Sequence, residues 1–185
     1  MNLPNLLSIF RLFITIFFII SINYERFDIA LLLFIIQAVS DMLDGFLARI
    51  MGAKTYLGAF LDPMADKVML VSSYIVLSIH RIIPLWVTSF VLIRDLVITS
   101  GFLVLYKLSY KTKPTPSILS KITTLSQICT IVYVLWSKDR AYAPPFFYAT
   151  AALAVLSGCQ YVARGMKIFR AKERQEVGGR DSTNL

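Results

Sequence analysis

Six long apolar runs, separated by short polar breaks, organise the chain. They lie near 6–23, 29–49, 60–79, 83–106, 118–136 and 144–166. Each approaches the ~20 residues that an α-helix needs to cross the hydrocarbon core of a bilayer. Strands are excluded, because backbone in lipid has to satisfy its own hydrogen bonds and these runs lack the alternation of a barrel wall. The pattern therefore predicts an all-α integral membrane protein with six transmembrane helices. Asn2, Pro4 and Asn5 mark the start of the first helix at the interface. That segment reads as retained: it lacks the basic start and small-residue cleavage pattern of a signal peptide, and Arg11 interrupts it. The membrane domain spans 1–170. Residues 171–185 read as a polar, mobile tail, basic enough to rest on anionic lipid. The connection 107–117, with Lys107, Lys111, Lys113, Pro114 and Pro116, reads as a cytoplasmic loop. No internal repeat or low-complexity segment stands out.

Composition sharpens this picture. Of 185 residues, 57% are hydrophobic and 16% charged, and the mean hydropathy is +0.67. A water-soluble domain of this size has too little interior to hide that much apolar surface. The net charge of +8 would ordinarily suggest nucleic acid. Here the basic residues flank apolar runs, so membrane lipid headgroups or phosphate substrates are the expected anionic partners, and no nucleic acid is. With six spans, most Lys and Arg collect on one side: Arg11, Arg49, Lys54, Lys107, Lys111, Lys113, Lys121, Arg164, Lys167, Arg170, Lys172, Arg174 and Arg180. Only Arg26, Arg81, Lys138 and Arg140 fall on the other, while Lys67 and Arg94 lie within spans. The asymmetry puts both termini in the cytoplasm of a multi-pass protein, in the inner membrane if the source is bacterial. Cys129 and Cys159 lie in apolar runs without metal-ligand neighbours and read as buried small hydrophobes, not as a disulfide or zinc site. His80, beside Arg81 in a polar break, is given no chemical role.

Four of the eleven acidic residues form one constellation: Asp41, Asp44, Asp62 and Asp66. Positions three or four apart share a helix face, so Asp41 pairs with Asp44 and Asp62 with Asp66. A short link makes spans two and three antiparallel neighbours, and the four carboxylates can converge at the cytoplasmic end of helices 2 and 3. Four unpaired carboxylates cannot all stay ionised in a poorly solvated site unless cations neutralise them. An all-oxygen donor set without His or Cys suits hard divalent ions, Mg²⁺ or Mn²⁺. Small residues surround the acids (Gly45, Ala48, Gly52, Ala53, Gly58, Ala59 and Ala65) and leave room for a substrate near the backbone.

The full pattern is Asp41-x2-Asp44-Gly45-x2-Ala48-Arg49-x8-Gly58-x3-Asp62-x3-Asp66. It resembles the signature of the CDP-alcohol phosphatidyltransferase family at all eight fixed positions. At roughly 5% usage per residue type, the chance of that in one chain is on the order of 10⁻⁸. The opening Asn2-Leu3-Pro4-Asn5-x2-Ser8-x2-Arg11 is similar to the family's N-terminal box. Leu61-Asp62-Pro63-x-Ala65-Asp66-Lys67 resembles the phosphatidylglycerophosphate and cardiolipin branch. The likeness covers about residues 2–168.

The resemblance implies transfer of a phosphatidyl group from CDP-diacylglycerol to an alcohol, with release of CMP. It implies two metal ions held by Asp41, Asp44, Asp62 and Asp66, and makes Asp66 the general base on the acceptor hydroxyl. Arg49 is placed to contact phosphate or nucleotide, Gly45, Ala48 and Gly58 to shape the cytidine pocket, and Asn5, Ser8 and Arg11 to add donor contacts. Ionisable residues inside spans are functional candidates, so Arg94 and Lys121, with Lys67, are expected to hold the acceptor. Adjacent helix positions face apart, so Arg94-Asp95 is not expected to be simply an internal ion pair. Phosphatidylglycerophosphate synthases usually follow the span-four arginine with glutamate and carry a second arginine eight positions on; here those positions are Asp95 and Phe102. Arg94-Asp95-Leu96, Lys113-Pro114-Thr115 and Ser120-Lys121 look more like eukaryotic-type cardiolipin synthases. The expectation leans to phosphatidylglycerol as acceptor, with glycerol 3-phosphate the alternative. A homodimer is implied by the resemblance alone. A small ion transporter could also hold intramembrane aspartates, but it would not need Gly, Ala and Arg at these spacings.

Overall fold

The computed structural model describes the backbone of residues 3–51, 58–107, 117–137 and 141–181, and the side chains of 10–40, 67–101, 117–137 and 141–166. Most of the 107–117 connection, Gly52, Ala53, Lys54, Lys138, Arg140 and the side chain of Phe102 lie outside these residues. The described chain is a bundle of six helices and contains no strand: α1 (Leu3–Asn23), α2 (Phe27–Met51), α3 (Gly58–Ile79), α4 (Leu85–Lys107), α5 (Ile118–Trp136) and α6 (Pro144–Asp181). Each apolar run of the sequence is one helix. The difference comes at the end: α6 continues to Asp181, through the stretch read from sequence as a tail.

Polar punctuation explains the boundaries. Ser117 caps α5, its hydroxyl accepting from the Ser120 N–H at 3.1 Å. Asp28 in the first turn of α2 is held below the usual carboxylate range by the Ile29 backbone N–H and then by Arg26. α1 and α3 end alike. Glu25 and Arg81 adopt left-handed backbone with φ 56°. Arg26 N–H then returns to Ser21 O and Ile82 N–H to Leu77 O, each at 2.9 Å, closing the last carbonyls of each helix.

The helices alternate up and down. α1 and α2 run antiparallel, with Arg11 beside Gln37 and Phe18 beside Phe34. α1 and α3 run parallel, and His80 Nε2 meets Asn23 Oδ1 at their far ends. α3 meets α4 antiparallel through Lys67–Thr99 and Tyr74–Thr88, and α5 meets α6 antiparallel through Thr123–Leu153 and Thr130–Thr150. The start of α1, the end of α2, the start of α3 and the end of α6 thus share one end of the bundle, here the near end. The far end carries aromatic contacts, Tyr133 stacked on Phe146 and Trp86 against Tyr148, with exposed Tyr24, Trp136 and Tyr142.

The interior joins an apolar core around Phe18, Phe34, Leu77, Val87 and Val91 with buried polar side chains, and the exterior is apolar. Buried Thr, Ser and Gln side chains tie the helices: Tyr74 Oη donates to the Gln127 carbonyl at 3.2 Å, and the Thr150 hydroxyl meets both Ser126 and Thr130 at 2.8 Å. Outward-facing Phe10, Phe13, Phe17, Leu32, Ile93, Leu96 and Leu125 are exposed. Far-reaching exposed apolar surface of this kind needs a nonaqueous neighbour. α5 and the stretch Pro144–Met166 of α6 are long and apolar enough to cross a membrane. Cys129 and Cys159 are free and exposed, which corrects the expectation of burial. They sit on the apolar outer faces with Leu125 and Leu156, turned away from the buried Gln127, Thr130, Ala154 and Ser157.

Hydrogen bonds between helices in a bilayer average about 0.6 kcal/mol and reach about 1.7. Thr150→Val removes two at once. Its stability, measured by reversible denaturation in mixed micelles, should fall by about 1 kcal/mol, whereas Leu125→Val on the outer face should change it little.

Candidate active site

Both halves of the acidic motif lie at the near end. Asp41 and Asp44 follow the buried Gln37 by four and seven positions on α2, and Asp62 and Asp66 precede Met69 and Ser73, on the buried stripe of α3, by helical steps. The side chains of these four residues, and of Asn5, Ser8, Arg49 and the small residues Gly45, Ala48 and Gly58, lie outside the described side chains. Their heights follow from the backbone. Gln37 meets α1 at Arg11, so the next turn towards the near end faces Ser8 on α1 with Asp41 on α2. Arg11 lies twelve residues before Asn23, and twelve before its partner His80 is Val68, next to Lys67. The first turns of α1 therefore run alongside the turns that hold Asp62 and Asp66.

Directly beneath the acids is a layer with one polar position from each helix: Arg11, Gln37, Lys67, Arg94 with Asp95, Ser120 and Ser157. Arg11 is 1% exposed. Gln37 Nε2 donates to the Arg11 carbonyl at 3.0 Å and to Thr15 Oγ1 at 2.8 Å. Lys67 Nζ donates to Thr99 Oγ1 and to the Asp95 carbonyl, the latter at 3.4 Å. Arg94 Nη1 donates to Asp95 Oδ1 at 2.6 Å, with the two side chains only 7% and 9% exposed. Its Nη2 reaches the hydroxyls of Ser120 and Ser157, on α5 and α6.

These contacts correct the expectation that Arg94 and Asp95 do not simply pair. Their side chains leave the helix in different directions, but the long arginine stem swings its guanidinium across to the carboxylate. The structure joins Arg94 to Lys67 through Asp95. It does not join Arg94 to Lys121, whose side chain is exposed; Ser120, its neighbour, makes the contact. Sequence reasoning missed Gln37, Thr99, Ser120 and Ser157. The available signal was their place within apolar runs, where a buried polar residue needs a partner.

Among the described residues no three His, Cys, Asp or Glu side chains gather into a metal site; the four aspartates fall outside them. The fit to a metal rests on donor chemistry. Four carboxylates at helical spacing, with no nitrogen or sulfur donor in the motif, match hard divalent ions.

A family model described as CDP-alcohol phosphatidyltransferase matches residues 1–159, which include every residue of the acidic motif and both helices that carry it. The chain belongs to the CDP-alcohol phosphatidyltransferase family. It is thus a phosphotransferase enzyme of phospholipid biosynthesis. Among similar curated proteins is the CDP-diacylglycerol–glycerol-3-phosphate 3-phosphatidyltransferase of Escherichia coli (strain K12), 31% identical over 172 residues, covering 88% of this chain and 93% of the relative. The enzyme of that name from Shigella flexneri serotype 5b (strain 8401) is 30% identical over the same lengths. The apolar exterior of this bundle fits a membrane enzyme.

Breaking a buried ion pair on one side leaves an uncompensated charge and costs about 3–5 kcal/mol. Arg94→Leu should therefore destabilise the bundle strongly in micelle denaturation. Arg94→Leu with Asp95→Leu should recover most of the loss, since no buried charge is then left unpaired.

Proposed function

We propose that this chain transfers the phosphatidyl group of CDP-diacylglycerol to glycerol 3-phosphate, releasing CMP, at the cytoplasmic end of a six-span membrane bundle whose termini both face the cytoplasm. The observation that carries the reading is the eight-position motif from Asp41 to Asp66, borne by two helices that share an end with the polar residues of α1. The Lys and Arg asymmetry supports the orientation, and the exposed aromatics of the far end suit the opposite interface.

Asp41, Asp44, Asp62 and Asp66 would hold two divalent ions, Mg²⁺ or Mn²⁺. When bound, such ions supply neutralisation of the donor diphosphate and of the charge that develops in an in-line displacement. Gly45, Ala48 and Gly58 leave room for the cytidine. Arg49, with Asn5, Ser8 and Arg11, contacts the nucleotide and phosphates of the donor. Asp66 accepts the proton of the acceptor hydroxyl as its oxygen bonds to the phosphatidyl phosphorus. The bond from that phosphorus to the bridging oxygen breaks, and CMP leaves with the electron pair.

The acceptor is where the reading departs from the sequence expectation. Arg94-Asp95-Leu96 and Phe102 lean to phosphatidylglycerol. The curated relatives are named for glycerol 3-phosphate and cover nearly the whole chain, which favours the alternative. A phosphate monoester calls for several cations. Lys67 and Arg94 flank Asp95 at one height in the bundle; since Asp95 matches the Arg94 charge, Lys67 is the cation this layer would offer the phosphate. Lys121, exposed one residue from Ser120, suits an entry position for an anionic acceptor.

Purified protein given CDP-diacylglycerol, Mg²⁺ and glycerol 3-phosphate should release CMP. Asp66→Asn should lower that rate about 10²–10⁴-fold, and chelation with EDTA should abolish it. CMP release that survives both treatments would contradict the assigned roles.

A further inference from the structure

Gln37 holds the most enclosed polar position between α1 and α2, with no surface exposed. The surrounding contacts are apolar: Ile14, Phe18 and Ile22 of α1 and Ala30 and Phe34 of α2. Apolar surfaces attract without direction and tolerate sliding and rotation. Gln37 adds the missing direction. Its amide donates to two acceptors on α1 at once, the Arg11 carbonyl and the Thr15 hydroxyl, and Thr15 Oγ1 itself donates to the same carbonyl at 2.9 Å. The three groups close a triangle that exists at a single height and a single rotation of α1 against α2. A buried polar side chain in an otherwise apolar helix interface has this use in other bundles, where it fixes register rather than adding strength.

The position gives the register a consequence. Gln37 is one helical turn before Asp41, and its partner carbonyl belongs to Arg11, the buried cation of the α1 polar box. We infer that Gln37 is a positioning residue: it sets α1 in the register that keeps Asn5, Ser8 and Arg11 opposite the turn carrying Asp41 and Asp44, and so controls how the CDP-diacylglycerol donor is held. The functional half of this inference rests on the donor roles proposed above. The register half rests only on the triangle.

Gln37→Leu, read in spin-labelled and in unlabelled protein, tests both halves. Cys129→Ala and Cys159→Ala remove the native thiols, and Phe10→Cys with Val39→Cys places spin labels on exposed sites of α1 and α2 near the height of Gln37. In liposomes the distance between labels should be narrowly distributed, and Gln37→Leu, similar in volume but unable to donate, should broaden or shift it. In the unlabelled protein, Gln37→Leu should raise the KM for CDP-diacylglycerol at least fivefold, change the acceptor KM less than twofold and leave the thermal midpoint within a few degrees. Thr15→Val should move the donor KM the same way by less. Phe18→Leu, an apolar neighbour, should lower the midpoint without splitting the two KM values. An unchanged label distance in Gln37→Leu overturns the inference outright. A broadened distance with an unmoved donor KM in an active enzyme overturns its functional half. A broadened distance in a protein that releases no CMP even as wild type upholds the register lock and instead overturns the donor roles on which the functional half stands.

Discussion

A guanidinium buried between helices has to be matched, and the match made by Arg94 organises much of the near half of this protein. Its carboxylate partner is the adjacent Asp95, and its Nη2 reaches Ser120 on α5 and Ser157 on α6. Asp95 in turn offers its backbone carbonyl to Lys67, one residue past Asp66 on α3. Four helices are thus tied at one height by a chain of charge-assisted contacts, and α1 and α2 are tied at about that height by Gln37. In a low-dielectric surround, a half-satisfied network of this kind costs more than an apolar core would. The cost of misplacing one member is what keeps these four helices in register.

The same constraint explains the inverted surface. Between helices in lipid there is little hydrophobic driving force, since acyl chains are as apolar as Leu or Phe. Hydroxyls and amides facing inward, as in the Ser126–Thr150–Thr130 contacts, add to the packing of the buried apolar core, while Phe13, Phe17 and Leu125 face out. The carboxylate motif lies beyond the polar layer, at the near end of the bundle.

Much of this was legible in the sequence, for a physical reason. Spanning length and polar breaks set helix boundaries, and the six apolar runs became six helices, α5 with both ends as read. α6 outran its apolar run because no breaker follows Ala171 before Gly178, and charged residues are good helix formers. The acidic motif was legible because its chemistry lives in residue type and spacing. Which face of each helix turns inward was not, since hydropathy reports where a helix lies in lipid and not how it is rotated. That is why Cys129 and Cys159 were expected inside, why Ser120 rather than Lys121 meets Arg94, and why Gln37 passed unnoticed. The Arg94–Asp95 pair was missed because face-sharing rules describe Cβ directions, and a long arginine escapes them.

The layer of buried cations beneath the four carboxylates is proposed to serve phosphatidyl transfer to a phosphate-bearing glycerol. The most direct test supplies purified protein in liposomes with CDP-diacylglycerol, Mg²⁺ and equal amounts of glycerol 3-phosphate and isotopically labelled phosphatidylglycerol, and identifies the lipid product by mass spectrometry. The expected product is unlabelled phosphatidylglycerophosphate, with no labelled cardiolipin. Labelled cardiolipin as the sole product would contradict the proposed acceptor.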